Sequence, residues 1–366
     1  MTDTVQILAV DVGGGTQDIL VYDSRRTIEN CFKLVLPAQT QVVGRRIARA
    51  TRAGRPLHLD GWLMGGGASG NAVELHLAAG LPVTATPEAA RTIHNNLDKV
   101  TAMGVQLVGP RGHPPPEDAV VVHFSDLDLD GIRQTLERFE IEMPETLAIA
   151  VQDHGYVPGE RGRAYRSEYL RGLIENDGDA LNMVFWPEGH PPPEEMIRMR
   201  AVARQLPGAY IMDTGAAAVL GILGDPLVAE HALGDDGAIL INVGNLHTFA
   251  VAFRGSRVYG LFEHHTGGVT PDWLAGLVAQ LQAGSLTHGE VMRHGGHGAA
   301  FSSDFPHAGG FGFVAITGPN RHIAAPLGYY QAVPYGDMML SGPYGLVRAT
   351  LATLSAEGLD VPALPS

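Results

Sequence analysis

A run of three glycines between two apolar segments is the first feature of the sequence that suggests chemistry. It starts two residues after Asp11, which ends an apolar segment. Successive glycines let a backbone approach a ligand closely and cradle phosphate oxygens, and a carboxylate at a strand end can hold Mg²⁺ through water. Asp11 is therefore a candidate catalytic and magnesium-binding residue. The phosphate-binding candidates beside it are Gly13, Gly14, Gly15, Thr16 and Gln17.

Two familiar phosphate-binding motifs do not fit this run. The dinucleotide fingerprint needs a third glycine where Asp18 stands and a helix afterwards, whereas an apolar, strand-like segment follows here. The P-loop needs a lysine after its last glycine, and the only lysines of the chain are Lys33 and Lys99. The structural alternative is a tight hairpin whose glycines serve the turn alone.

The same plan returns later in the chain. A second apolar segment, 238–241, runs into Asn242 and Gly244 before another strand-like segment, and a third, 313–316, ends at a Thr-Gly-Pro turn. The repetition indicates an internal duplication that gives two lobes with a cleft between them. Two facing hairpins in that cleft could hold the two ends of a polyphosphate. The nucleotide-binding candidates from these segments are Asn242, Gly244, Asn245, Thr248, Gly318 and Pro319.

In this order and spacing, the three segments resemble the phosphate-one, phosphate-two and adenosine motifs of the actin-like ATPase superfamily, which includes actin, heat-shock chaperones, sugar kinases and acetate kinase. The resemblance covers residues 6 to about 350. It implies an α/β fold of two ribonuclease H-like lobes with mixed sheets, and ATP and magnesium as cofactors. We expect the N-terminal lobe at 1–223 and the C-terminal lobe at 224–366. Asn242 stands where the superfamily usually has an acid, which favours nucleotide binding over fast hydrolysis.

Two further acids are candidates for orienting or deprotonating the attacking group. Asp213 precedes a run of small residues that resembles the superfamily's connecting segment, and by that match it stands where the chaperones place a catalytic glutamate. Asp153 lies in a Gln-Asp-His-Gly sequence that is similar to the sugar-kinase stretch near the phosphoryl acceptor. Each acid could instead cap a helix or a turn. The same resemblance makes Gln152 and His154 candidate substrate contacts.

Histidine is concentrated late in the chain, with seven of the 16 histidines between positions 264 and 322. Neutral imidazoles bind zinc or iron, so His294 and His297, which two glycines separate, could hold a metal ion. Substrate contact or ordinary loop chemistry is the alternative. On that basis His265 and Arg321 are candidate substrate-binding residues, the guanidinium being suited to an anionic group.

Within the superfamily, the sequence resembles a small family sometimes labelled as pyruvate formate-lyase activating enzymes. Such enzymes need three cysteines to hold an iron–sulfur cluster, and this chain has one, Cys31. No disulfide, cysteine-based zinc site or protein-held cluster can be built within one copy of the chain. The cysteine count therefore contradicts the label, and we set that activity aside.

The overall composition limits the classes of partner that the protein is expected to bind. Acidic residues outnumber basic ones by 39 to 25, for a net charge of −14, which disfavours general binding to nucleic acid or to anionic membranes. The N-terminal residues lack the pattern of a signal peptide, and the longest apolar stretch, 215–224, is shorter than the ~20 residues of a membrane span. We expect a cytoplasmic protein that binds a small-molecule substrate, with no nucleic-acid or membrane partner.

Together these patterns predict an ATP-binding protein, namely a kinase-type phosphotransferase or an ATPase that acts on a small-molecule acceptor. One alternative is a nucleotide-gated binding or regulatory protein without fast turnover. The other is a metal-dependent enzyme that uses the histidine-rich segment 288–322.

Overall fold

Short strands alternate with helices along the whole chain. The computed structural model describes residues 4–159, 162–186, 189–307 and 309–364. The first half contains β1 (Gln6–Val12), β2 (Thr16–Asp23), β3 (Phe32–Pro37), α1 (Gln39–Arg52), β4 (Leu57–Gly61), α2 (Gly67–Ala78), β5 (Val83–Ala85), α3 (Pro87–Ala90), α4 (Leu97–Ala102), β6 (Val105–Leu107), β7 (Val120–Phe124), α5 (Leu129–Glu137), β8 (Thr146–Val151), α6 (Gly162–Asn176), β9 (Val184–Phe185), α7 (Ile197–Gln205), β10 (Tyr210–Met212) and α8 (Thr214–Gly221). The second half contains α9 (Pro226–Leu233), β11 (Ala238–Val243), β12 (His247–Arg254), β13 (Arg257–His265), α10 (Pro271–Ala283), α11 (His288–Arg293), β14 (Gly298–Phe301), β15 (Phe313–Thr317), β16 (Tyr330–Gln331) and α12 (Ser341–Ala356).

Two six-stranded sheets repeat one strand plan. The first has the order β3-β2-β1-β8-β10-β9, and the second has the order β14-β13-β12-β11-β15-β16. In the first, β1 is antiparallel to β2, because a short turn joins them, and parallel to β8, which arrives after a long crossover. In the second, β11 is likewise antiparallel to β12 and parallel to β15. The repeated plan confirms the predicted fold of two ribonuclease H-like lobes with mixed sheets.

A smaller parallel sheet lies within the first half and was not predicted from the sequence as a separate unit. Its order is β6-β5-β4-β7, and its three pairings are all parallel. It has its own core, in which Val43 and Ile47 of α1 pack with Leu59 and Phe124 of the strands. The glycine-rich segment 65–67 after β4 lines a cavity of about 350 Å³ whose other walls include both predicted glycine hairpins. This small sheet therefore contributes to the region where the sequence predicts ligand binding.

Helices α8 and α12 cross at a point where both contain glycine. A Cβ on Gly221 would lie 1.7 Å from the Ser341 carbonyl oxygen, and a Cβ on Gly345 would lie 1.8 Å from the Ala217 carbonyl oxygen. Only glycine lets the two backbones come this close. α12 also packs on β1 and β8 of the first sheet, although it belongs to the second half of the sequence. The division of the chain at 223 and 224 stays a prediction, and α12 reaches across it.

Among the described residues, no single helix has both the length and the apolar composition that a membrane crossing requires. The segments 214–224 and 226–233 meet that test only when they are joined, and they are bent by 105° relative to each other.

Candidate functional site

The two glycine turns have the same geometry. In the first, the Gly13 amide donates to the Thr16 carbonyl at 2.9 Å, and in the second, the Gly244 amide donates to the His247 carbonyl at 2.9 Å. The strand registers on either side also match, so His247 occupies the position that Thr16 has in the first hairpin. Thr248, the predicted nucleotide-binding hydroxyl, lies one residue further along the strand, at the position of Gln17.

The tips of the two hairpins face each other and are in contact. A Cβ on Gly14 would lie 2.6 Å from Leu246 Cδ1, and a Cβ on Gly15 would lie 2.7 Å from Asn245 Nδ2. The amides of Gly14 and Gly15 donate no hydrogen bond to the described residues. The first tip therefore combines bare backbone with unused donors, which are the two features of a phosphate cradle.

A space of about 70 Å³ lies between the hairpins. The predicted residues that line it are Asp11, Gly13, Gly14, Thr16, Asn242, Gly244, Asn245, Gly318 and Pro319. Gly15, Gln17 and Thr248 do not line it. The side chains of the last two bond elsewhere: Gln17 donates to the Pro37 carbonyl at 3.3 Å, and Thr248 pairs with the Thr266 hydroxyl at 3.1 Å. The structure thus brings most of the predicted nucleotide-binding residues to one place.

The Thr-Gly-Pro turn after β15 packs against the second hairpin. Gly318 has φ +99°, and a Cβ there would lie 2.6 Å from Asn242 Oδ1, so the turn requires glycine. The Asn320 side chain donates to the Gly244 carbonyl at 3.0 Å and fixes the two turns together. Arg321 follows but lines neither this space nor the larger cavity beside it.

Two carboxylates lie side by side on the two strands of the first hairpin. Asp11 and Asp18 are direct cross-strand partners, each is 8% exposed, and one buried oxygen of each has no hydrogen-bond partner among the described residues. Burial raises the pKa of Asp11 well above its usual range, and the neighbouring Asp18 raises it further. Burial also raises the pKa of Asp18, to about 7. A cation would stabilise the charged form of both groups, which suits the magnesium role predicted for Asp11.

Asp153 is buried, and both of its carboxylate oxygens are occupied. Oδ1 accepts the Gly155 amide at 2.8 Å, and Oδ2 accepts the amides of Arg198 and Met199 in the first turn of α7 at 2.7 and 3.0 Å. Burial raises its pKa, although these amides favour the charged form. The geometry favours the cap interpretation of Asp153 over the catalytic one.

Asp213 caps α8 and forms a buried ion pair. Its Oδ1 accepts the Gly215 amide at 2.9 Å, and Arg166 binds its two oxygens at 2.7 and 3.0 Å. Burial alone would raise the pKa of Asp213, but the Arg166 guanidinium outweighs it and holds that pKa below its usual range. Arg166 also binds Glu263 at 2.6 Å, and Gln152 donates to the other Glu263 oxygen at 2.5 Å. Because Glu263 lies on β13, this network joins the two lobes.

A cavity of about 350 Å³ adjoins the space between the hairpins. The residues that line both are Gly13, Gly14, Thr214, Asn242, Gly244 and Asn245. Its far wall includes Arg91 and Arg198, the second of which binds Asp126 at 2.7 and 2.8 Å. The predicted substrate contacts Gln152 and His154 line this cavity. It is therefore a second ligand space that is continuous with the first.

Four histidines from distant parts of the chain gather beside this cavity. The ring of His154 stacks on that of His297 with centroids 4.9 Å apart, and His247 lies 4.8 Å from His297 and 4.9 Å from His265. Burial lowers the pKa of His154 to about 3 and lowers that of His297 as well. His154 and His297 are therefore neutral imidazoles at neutral pH.

The structure separates His294 from His297. His294 is exposed and packs on Trp273 with ring centroids 4.2 Å apart, whereas His297 is buried in the cluster. The predicted metal-binding pair is therefore not formed, and His297 instead meets His265, a predicted substrate contact.

Sequence reasoning missed Asp18, His247 and Arg166. The register of a hairpin with its turn at 13–16 would have paired Asp18 with Asp11, and alignment of the two hairpins would have shown His247 opposite Thr16. Arg166 gave no local signal, because its carboxylate partners lie 47 and 97 positions away in the sequence.

Two lobes with one strand plan and facing glycine hairpins define a protein of the actin-like ATPase fold. The chain belongs to the family described as "Putative pyruvate format-lyase activating enzyme (DUF1786)", whose model matches residues 64–323. This match confirms the family resemblance seen in the sequence. The activity in that description is not transferred to this chain, because Cys31 is its only cysteine.

Solved structures provide two further likenesses. The ethanolamine utilization protein EutJ from Carboxydothermus hydrogenoformans is 13% identical with a TM-score of 0.30, over 93% of this chain and 89% of that chain. An exopolyphosphatase-like protein is 11% identical with a TM-score of 0.24, over 86% of this chain and 66% of that chain. No curated protein matches the chain.

Proposed function

We propose that the protein binds ATP between the two hairpins and transfers its terminal phosphoryl group to a small molecule in the adjoining cavity. One observation carries the proposal: two equivalent glycine hairpins face each other beside a buried carboxylate that has an unpartnered oxygen. Backbone donors at opposed turns suit the ends of a polyphosphate, and a carboxylate beside them suits its counter-ion.

The residues present fit both ligands. The amides of Gly14 and Gly15 would bind phosphate oxygens, because glycine leaves the backbone bare there and a Cβ would meet Leu246 or Asn245 of the opposite hairpin. Asp11 would hold magnesium, with Asp18 beside it. When bound, magnesium neutralises phosphate charge, which is a main requirement of phosphoryl transfer.

The space between the hairpins is too small for a nucleotide as the lobes stand. At about 70 Å³ it holds a few water molecules, and the tips touch. Binding of ATP therefore requires the lobes to separate, as is common in enzymes whose closure excludes water. The larger cavity would then hold the acceptor, with Gln152 and His154 as its contacts.

A second candidate is a nucleotide-gated binding protein in which ATP sets the lobe angle and turnover is slow. Three observations favour it. Asn242 replaces an acid at the second hairpin, Asp153 binds three backbone amides, and Asp213 is paired with Arg166. The catalytic roles suggested for Asp153 and Asp213 thus compete with structural ones, and of the three predicted catalytic acids Asp11 has the unused oxygen. For both candidate functions we propose a cytoplasmic location.

Calorimetric titration with ATP, with and without magnesium, tests nucleotide binding. Wild type should bind ATP in the micromolar range with magnesium, and Asp11→Asn should bind at least about tenfold more weakly, a loss of about 1.4 kcal/mol or more. The control is Asp130→Asn, whose side chain is 82% exposed on α5. Absence of binding by wild type at millimolar ATP would overturn the proposal.

Phosphate release separates the two candidates. A phosphotransferase or ATPase should release or transfer phosphate in the presence of its acceptor, and Asp11→Asn should abolish this activity. Binding of ATP without any turnover across a screen of small-molecule acceptors would favour the nucleotide-gated protein.

A further inference from the structure

Three of the clustered histidines are held on one face of the second sheet. His247 and His265 are direct cross-strand partners at the ends of β12 and β13, so their side chains leave the sheet on the same side. His297 is fixed beside them because its backbone amide donates to the Glu263 carbonyl at 2.9 Å. One ring nitrogen from each of the three histidines lies within 4.8 Å of the others.

The environment of His297 requires an explanation. The residue is 3% exposed, and both of its ring nitrogens are buried with no hydrogen-bond partner among the described residues. The ring of His154 covers one of its faces, and the Nδ1 of His154 is also buried without such a partner. Each unsatisfied buried polar group costs about 1–3 kcal/mol, so a core of this kind is expensive unless something binds there.

We propose that His247, His265 and His297 bind one divalent transition-metal ion of the zinc type. Neutral imidazole is a preferred ligand of zinc, and ligation would satisfy one of the two unpartnered nitrogens of His297. At a metal–nitrogen distance of about 2.0–2.1 Å, ligand nitrogens in a tetrahedral site lie about 3.3 Å apart. Small side-chain rotations would bring the observed nitrogens to that spacing.

Three protein ligands leave one coordination position for water or a substrate group, which is the pattern of catalytic zinc sites. His247 and His154 both line the 350 Å³ cavity, so the ion would border the space proposed for the acceptor. The ion and the nucleotide site would then face one cavity from two sides.

The charges nearby are compatible with a cation. The Arg166 guanidinium acts electrostatically on His154 and His297, and two carboxylates, Asp213 and Glu263, bind it. The positive charge is therefore more than balanced. His264, the residue before His265 on β13, points to the other side of the sheet. Its ring nitrogens lie 2.9 and 3.1 Å from the carbonyl oxygens of His265 and His294. It is not available as a ligand.

The test is metal titration of the full-length, tag-free protein after chelator treatment, with Co²⁺ as the spectroscopic probe and Zn²⁺ as competitor. Wild type should bind one equivalent of Co²⁺, show the visible absorption of a low-symmetry site, and lose that absorption when Zn²⁺ is added. Zn²⁺ should also raise the melting temperature, because a ligand bound only by the folded state stabilises it.

Two histidine variants make the test specific. His265→Ala, at a half-buried position, should weaken Co²⁺ binding at least tenfold, and circular dichroism checks that it folds. The matched control is His294→Ala, a histidine of the same region that packs on Trp273 outside the cluster and should bind as wild type does.

The proposal is overturned if wild type binds no stoichiometric Co²⁺ or Zn²⁺, or if folded His265→Ala binds Co²⁺ as tightly as wild type. These outcomes are independent of the ATP titration, so failure of one site is distinguishable from failure of the other.

Discussion

The carboxylate of Asp18 links the stability of the fold to pH. Its pKa in the folded protein is about 7, above a usual value near 3.8, so the folded state binds the proton more tightly than the unfolded chain does. That contribution to stability is fully present below about pH 4 and is lost as the pH rises to about 7. The Asp18→Asn variant does not lose stability in this way, because an amide has no proton to release over this pH range. In chelator, its free energy of unfolding relative to wild type should therefore increase between about pH 4 and pH 8, by roughly 2–4 kcal/mol.

Urea unfolding at a series of pH values measures this difference. Asp130→Asn, at an exposed position, is the control and should leave the difference between variant and wild type constant with pH. If the free energy of unfolding of Asp18→Asn followed that of wild type in parallel across the pH range, the prediction would be wrong. Neighbouring groups would then already offset the cost of burying the charged Asp18 carboxylate.

At the scale of elements, the crossing of α8 and α12 depends on the absence of side chains. Gly345→Ala would place a Cβ 1.8 Å from the Ala217 carbonyl oxygen, so the helices must move apart. Overpacking of this kind costs about 1–3 kcal/mol or more. The variant should unfold at lower denaturant concentration than wild type by that amount.

Gly276→Ala in α10 is the matched control for this helix substitution. A Cβ there meets nothing within 4 Å, so the change should stabilise the protein by about 0.5–1 kcal/mol through helix propensity alone. Equal effects of the two substitutions would show that the crossing is not as tight as the structure describes it.

How far the sequence predicts an element or a site depends on the sequence distance between the residues that form it. Each hairpin is local, so the glycine runs and the apolar segments around them predicted the turns, the duplicated lobe and most residues around the space between the hairpins. The histidine cluster joins positions 154, 247, 265 and 297 through the packing of two lobes, and no periodic pattern connects them. For the same reason, the sequence pattern that suggested His294 could not show that its ring turns toward Trp273.

At the scale of the whole molecule, α6, α8 and α12 each pack on elements of the other half of the chain, and two further sets of contacts join the lobes at the cleft. The hairpin tips touch at Gly14 and Leu246, and the buried carboxylate of Glu263 in the second lobe is bound by Arg166 and Gln152 of the first. A nucleotide must break the first set, because the space between the tips is about 70 Å³. The second set lies beside the cavity proposed for the acceptor. The cleft opens more widely if these bonds of Glu263 also break than if they stay intact.

Spin labels on the two sides of the cleft would measure this opening. Glu74→Cys on α2 and Ala279→Cys on α10 are both exposed, and Cys31→Ser removes the native thiol. Magnesium and ATP should lengthen the distance between the labels by several ångströms, and Asp11→Asn should prevent the change. Glu263→Gln, which weakens the bond to Arg166 without changing the side-chain shape, should lengthen the distance even without nucleotide, because it weakens one of the two sets of contacts that join the lobes at the cleft. If calorimetry shows ATP bound while the distance stays constant, the nucleotide lies outside the hairpins, and the tips have a structural rather than a binding role.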